Sequence, residues 1–112
     1  MNDEREIIVA SDAGISIQSF GDISEALGAC LGAAGLVLTE GDLAPEFFDL
    51  RSGLVGELFQ KFTNYWLRLA IVLPYPEAYG ARFSELAYEH RSHNLIRFFG
   101  SVDEAKAWLA AS

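Results

Sequence analysis

The stretch from Glu46 to Leu73, EFFDLRSGLVGELFQKFTNYWLRLAIVL, decides the fold. In its middle, apolar residues recur at helical spacing, which predicts an amphipathic helix beginning near Ser52. The apolar stripe consists of Leu54, Val55, Leu58, Phe59 and Phe62. The run from Trp66 to Leu73 is almost continuously apolar, and this predicts a central strand covered on both faces. A helix followed by a buried strand is the repeating unit of an α/β protein.

Downstream, the same alternation continues. Pro74 and Pro76 end the strand, and a helix follows. Its apolar face carries Tyr79, Phe83, Leu86, Ala87 and His90. Leu95–Phe99 reads as another strand. The sequence Ser101-Val102-Asp103-Glu104 is a capping box, which predicts the start of a last helix.

Upstream, a helical pattern runs from Ile23 to Ala34, and Gly35 is expected to stop it before a short strand, residues 36–39. Two β-branched segments, residues 6–10 and 15–19, are separated by a turn that contains Asp and Gly. This arrangement predicts a β-hairpin at the start of the chain.

The predicted order of elements is therefore β-β-α-β-α-β-α-β-α. Strands that alternate with helices favour parallel pairing through right-handed crossovers. The hairpin would add an antiparallel edge, so the expected fold is α/β with a mixed, mostly parallel sheet of about five strands. The 112 residues are expected to form a single domain.

The composition excludes several classes of function. With 16 acidic and 8 basic residues the net charge is −8, which argues against nucleic-acid binding and against a polybasic membrane module. The chain has no signal-peptide pattern and no apolar run long enough for a membrane helix, so a cytoplasmic location is expected. Cys30 is the one cysteine, which excludes an internal disulfide and a cysteine-based zinc cluster. No cofactor is expected.

The block EFFDLRSGLVGELFQKFTNYWLRLAIV, residues 46–72, together with FSELAYEH, IRFF and EAKAWL further along, resembles a bacterial family known as domain of unknown function 4180. The resemblance covers residues 36–110 well and the N-terminal part only by pattern. The order of elements and the tail LIRFFGSVDEAKAWL also resemble the STAS domain of anti-sigma-factor antagonists. In those antagonists a strand leads into a loop of the form Asp-Ser-Ser-Gly-Leu, and here the same place reads Asp49-Leu50-Arg51-Ser52-Gly53-Leu54.

The STAS resemblance implies a non-catalytic regulatory module whose partner is a protein such as an anti-sigma-type kinase, with Ser52 as the phosphorylated residue. One departure is that Leu50 and Arg51 separate Asp49 from Ser52. Ser52 is therefore a candidate phosphosite or anion contact, assisted by Arg51. The alternative is that Ser52 only caps its helix, a role worth about 1 kcal/mol. Nearby acidic residues would repel an added phosphate.

The candidate partner interface is the outer surface of the predicted helix and the turn before it. Its residues are Asp49, Gly53, Glu57, Gln60, Lys61 and Asn64. Exposed polar groups next to the aromatic pair Tyr65 and Trp66 suit an interface. The alternative is a solvated helix face with an i,i+4 pair between Glu57 and Lys61.

A second candidate site is a crevice at the carboxyl end of the central strand, where open α/β sheets bind ligands. Trp66, Tyr75 and Tyr79 are its candidate residues. The alternative is a turn whose aromatic residues cover the core. No nucleophile–base pair is visible, and two histidines are too few for a metal site, so no catalytic residue or metal ligand is assigned. The open functions are a protein-interaction module, a ligand-binding domain or small enzyme, and a self-associating dimer.

Overall fold

A computed structural model describes residues 4–111 and shows a sheet of four parallel strands in the order β1-β2-β3-β4. The strands are β1 Ile7–Val9, β2 Gly35–Thr39, β3 Leu69–Val72 and β4 Ile96–Phe99. The helices are α1 Ala10–Ala13, α2 Phe20–Cys30, α3 Leu54–Asn64, α4 Ala81–Glu89 and α5 Val102–Ala110. The predicted α/β class is confirmed, with one strand fewer than expected.

Side chains alternate between the two faces of the sheet, and each face has its own core. Leu36, Leu69 and Ile71 pack with α2, α3 and α4, whereas Val37 and Ala70 pack with α5. Each crossover steps to the next strand in the same direction, so right-handed connections place all three crossover helices on one face. The other face is left to α5, which contacts all four strands.

The contact between α5 and the sheet is close at Gly35. A Cβ atom built there would lie 2.5 Å from Leu109 Cδ2 and 2.7 Å from the carbonyl oxygen of Arg68. Gly35 was expected to stop a helix, but α2 already ends at Cys30 and Gly35 opens β2. The glycine is needed because only a residue without Cβ fits beneath Leu109.

The predicted hairpin is wrong. Residues Ala10–Ala13 form one helical turn, closed by Gly14 at φ +70°, and residues 15–19 form no strand. Ile17 is fully buried, but it makes only an isolated parallel bridge to Leu43. The sheet consequently has no antiparallel edge among the described residues.

The later elements agree with their sequence signals. The Ser101 side chain accepts from the Glu104 amide at 3.2 Å, which confirms the cap of α5. Buried β3 lies within the predicted apolar run, and α3 begins two residues after Ser52. In the part of the chain that the structure describes, every helix is too short or too polar to cross a membrane.

Candidate functional site

The segment between β2 and α3 forms the rim at the carboxyl end of the sheet. It consists of three 3₁₀ turns, Glu40–Asp42, Pro45–Phe48 and Leu50–Ser52. The Asp42 carboxylate accepts from the Thr39 amide at 2.8 Å and from the Thr39 hydroxyl at 2.9 Å. Asp42 is buried. This carboxylate therefore holds the rim together and contributes little to the acidic charge that was expected to repel a phosphate on Ser52.

Asp49 and Arg51 form a local pair at the tip of the rim. The Asp49 carboxylate accepts from the Arg51 amide at 3.0 Å and from Arg51 Nε at 3.2 Å. These bonds from Arg51 hold the pKa of the Asp49 carboxyl below its usual range. The Arg51 side chain is nevertheless 90% exposed, so its guanidinium is presented to solvent beside the Asp49 carboxylate.

Ser52 lies behind this pair and connects the rim to α3. Its hydroxyl donates to the Glu46 carbonyl at 2.6 Å and accepts from the Leu54 amide at 3.3 Å. Gly53, at φ +82°, occupies the N-cap position itself. The hydroxyl thus supports the first turn of α3 from one residue before the cap, and it is half-buried.

An aromatic ring covers the start of α3. A Cβ atom at Gly53 would lie 3.6 Å from the Phe20 ring, and Phe20 is itself 51% exposed. Gly53 needs its positive φ to turn the chain into the helix, and residues other than glycine adopt that conformation rarely. The rim therefore presents a charged guanidinium at Arg51 and a half-exposed aromatic ring beside Gly53.

The outward surface of α3 carries the predicted interface residues. Gln60 and Asn64 are exposed, whereas Glu57 and Lys61 are half-buried. Within the described residues Glu57 and Lys61 form no ion pair, so the i,i+4 pair included in the alternative interpretation is absent. The structure places all four residues on one helix that begins directly behind Gly53.

Two exposed aromatic residues lie at the end of this surface, directly after α3. Tyr65 is 58% exposed and Trp66 is 80% exposed. Trp66 has φ +55°, a backbone conformation that costs a side chain of this size on the order of 1–3 kcal/mol. A large apolar side chain is therefore presented to solvent by a strained backbone, directly beyond the end of α3.

A cleft of about 510 Å³ lies between the rim and the start of α4. Its walls are Phe48 to Arg51 on one side and residues 79–83 on the other. The Phe48 and Tyr79 rings stack with centroids 3.7 Å apart. The Tyr79 hydroxyl donates to the Glu40 carboxylate, and this bond raises the pKa of Tyr79.

The three predicted crevice residues do not come together. Tyr79 lines the cleft, but Tyr75 is not among its walls and Trp66 precedes β3, at the opposite end of the strand. Sequence reasoning missed Phe48 and Arg82, which do line the cleft. The only sequence signal for Phe48 was its place in the loop that follows a strand.

The remaining reactive side chains form no site. Burial raises the pKa of the Cys30 thiol to about 11, so this thiol is protonated at neutral pH. The Nδ1 atom of His93 accepts from the amides of Leu95 and Ile96, at 3.1 Å each. Over residues 4–111 no group of three His, Cys, Asp or Glu side chains could hold a metal ion.

Comparison with known proteins gives one match. A family model described as "Domain of unknown function (DUF4180)" matches residues 2–109. No curated protein and no solved structure matches the chain.

Proposed function

Since this chain belongs to the DUF4180 family, whose model covers nearly all of it, we propose that it is a non-catalytic protein-interaction module. The docking surface in this proposal runs along α3, from the Asp49–Gly53 turn to Trp66. The proposal keeps the regulatory role and the cytoplasmic location that the STAS resemblance and the sequence suggest.

The observation that carries the proposal is the exposure of Trp66. An 80% exposed tryptophan held at φ +55° is costly for an isolated chain. Tryptophan, tyrosine and arginine dominate binding energy at protein interfaces. Trp66 and Tyr65 lie at one end of α3, and Arg51 lies beside its other end. An 11-residue helix is about 16 Å long, so these anchors lie at the two ends of a surface of about that length.

The experiment starts from a photo-crosslinking residue placed at Gln60 in the full chain, in cells that produce it. The crosslinked partner is identified by mass spectrometry, purified, and titrated against the parent chain and its variants. Trp66→Ala should weaken binding about thirtyfold, the loss expected for a hot-spot residue worth about 2 kcal/mol. Tyr75→Ala, which removes an exposed aromatic ring at the opposite end of β3 from Trp66, should bind like the parent.

An equal affinity of the Trp66→Ala and parent chains would refute the proposed surface. A crosslinked species made of two copies of this chain would favour the third function, self-association. Light scattering then checks the mass of the free chain.

We further propose that phosphorylation of Ser52 regulates this surface. A phosphate on the Ser52 oxygen would remove the donation to the Glu46 carbonyl and add charge beside Asp49. Phosphorylation should therefore loosen the first turn of α3 and weaken partner binding. Incubation with candidate serine kinases, followed by mass spectrometry, tests this: a chain that is never modified at Ser52 would exclude the switch.

A second candidate function is small-molecule binding in the cleft. The observation that favours it is that two arginines, Arg51 and Arg82, line one cleft beside the stacked Phe48 and Tyr79 rings. Arginine recognises carboxylates and phosphates, so anionic metabolites are the class to screen. A saturable rise in melting temperature that Arg82→Ala abolishes would support this function.

A further inference from the structure

The outer edge of the sheet at β4 carries free backbone groups. The Leu69 amide donates to the Leu95 carbonyl and the Leu73 amide donates to the Phe99 carbonyl, so odd-numbered residues of this strand face β3. In a parallel ladder the intervening residues, Ile96 and Phe98, therefore direct their N–H and C=O groups outward.

One of these outward groups is already occupied. The Ile96 amide is bonded to His93 Nδ1 at 3.1 Å. Among the described residues, none donates to or accepts from the outward groups of Phe98. An unpaired strand edge is a template for another extended chain.

A groove runs beside this edge, between β4 and α4. Its volume is about 310 Å³. Its walls are mainly apolar, and they comprise Leu73, Pro74, Pro76, Ser84, Ala87, Tyr88, Phe98, Phe99 and Gly100. A strand added to β4 would direct alternate side chains to this face of the sheet, where the groove could receive an apolar one.

The charged residues beside the groove favour one kind of peptide. The chain carries −8 overall, but Arg91 precedes the amino end of β4 on the side of the groove, whereas the Arg97 guanidinium lies 5.0 Å over the Trp108 ring on the α5 face. The Arg91 guanidinium stacks 3.7 Å above the Tyr88 ring on the wall of the groove, and Arg97 donates to the His93 carbonyl. Two acidic residues of α4, Glu85 and Glu89, do not line the groove. Each follows a groove residue, Ser84 or Tyr88, by one position.

We propose that the β4–α4 groove binds an extended peptide in which apolar residues alternate and acidic residues meet the Arg91 end. Main-chain hydrogen bonds to Phe98 provide affinity, and the groove and Arg91 provide specificity, as in other cases of strand addition. Two β4 strands paired around a twofold axis would run antiparallel, so each Arg91 would face the carboxyl end of the other strand; a second copy is therefore the alternative occupant, which the oligomeric state of the free chain detects. The peptide surface is separate from the α3 surface.

The test pans a display library of random dodecapeptides against the full chain. The enriched peptides should alternate apolar residues and carry Asp or Glu. For the strongest peptide, Ser84→Trp should weaken binding at least tenfold by filling the groove, and Arg91→Glu should weaken it about tenfold by reversing the charge. Lys106→Glu, on the exposed side of α5, serves as the matched charge control and should leave the affinity unchanged.

Two further readouts separate strand addition from other binding. N-methylation of alternate peptide residues should abolish binding, and hydrogen exchange at the Phe98 amide should slow in the complex. Melting temperatures show whether each variant is folded. If Ser84→Trp does not fold, the affinity of Arg91→Glu tests the proposal. The proposal is overturned if no acidic apolar peptide is enriched, or if folded groove variants bind like the parent. A dimer of the free chain that Ser84→Trp dissociates would also overturn it, since a second copy would then fill the edge.

Discussion

Gly35→Ala is the substitution whose effect the structure determines most sharply. The new Cβ atom would lie 2.5 Å from Leu109 Cδ2 and 2.7 Å from the Arg68 carbonyl oxygen. The leucine side chain can rotate away. The carbonyl is fixed in the sheet, because it accepts a hydrogen bond from the Leu36 amide at 3.1 Å. Relief of the clash therefore requires a shift of β2 against the residue before β3.

Overpacking of a dense core costs about 1–3 kcal/mol, and a clash with backbone belongs at the upper end of that range. We expect the free energy of unfolding to fall by about 3 kcal/mol. For a domain of this size each kcal/mol shifts the melting temperature by about 4 °C, so the expected drop is about 12 °C. Urea unfolding followed by circular dichroism measures the free energy directly.

Gly28→Ala is the matched control. A Cβ at Gly28 has nothing within 4 Å, and the residue lies inside α2. This change should stabilise the protein by up to about 1 kcal/mol through helix propensity. The two glycine substitutions thus have opposite expected signs.

The double variant of Gly35→Ala with Leu109→Ala separates the two clashes. It removes the side-chain contact and leaves the carbonyl contact, so the two changes should couple without restoring stability. The reasoning is refuted if Gly35→Ala melts at the parent temperature, or if the cost of Gly35→Ala disappears entirely in the Leu109→Ala background.

Three other substitutions have defined outcomes. Ser52→Ala should lower the free energy of unfolding by about 1 kcal/mol, since two hydrogen bonds at the start of α3 are lost; an unchanged urea midpoint would contradict this. Tyr79→Phe keeps the stack on Phe48 but loses the bond to Glu40, so we expect a loss of about 1 kcal/mol and no change in secondary structure by circular dichroism. Burial, followed by the charges of His90 and Arg97, lowers the pKa of His93, so the unfolded chain binds the proton more readily. Stability should therefore decrease as the pH falls below about 6.5, the ordinary pKa of histidine. His93→Asn, whose side-chain oxygen can accept from the same amides, should flatten that part of the pH profile, and an unchanged profile would show that His93 is not its source.

The elements of the second half of the chain were predictable because their local signals agree with their final environment. The α3 stripe is buried against the sheet, and β3 is buried on both faces, as an uninterrupted apolar run requires. The Ser101 side chain caps α5 by accepting from the amide of Glu104, three residues later. Such a local contact can be predicted without knowing the fold.

The hairpin prediction failed because hydrophobic patterning reports burial and not pairing. Ile17 is indeed buried, but its backbone lies in a bend between α1 and α2 and meets Leu43 at one bridge only. Nothing local to residues 15–19 indicates that the neighbour of β1 is β2, whose paired residues lie 28 positions later in the chain, as in Ile7 with Gly35.

The candidate site was predictable where it is local. Asp49 and Arg51 are two residues apart, and the bond between them follows from an ordinary side-chain-to-backbone turn. The cleft was not predictable in the same way, because Phe48 and Tyr79 meet only after β2 and β3 have paired. The same pairing separates Trp66 from Tyr79 by the length of a strand.

The position of α5 also has a consequence for synthesis of the chain. All four strands and the three crossover helices are made before α5, residues 102–110, leaves the ribosome. Until then Val37, Ala70 and Val72, buried beneath α5 in the finished fold, have no cover on their face of the sheet. A nascent chain at that stage exposes an apolar surface of the sheet. Such surfaces promote aggregation and are bound by chaperones. Whether the earlier elements avoid aggregation therefore depends on α5, the nine-residue helix that is made last among them.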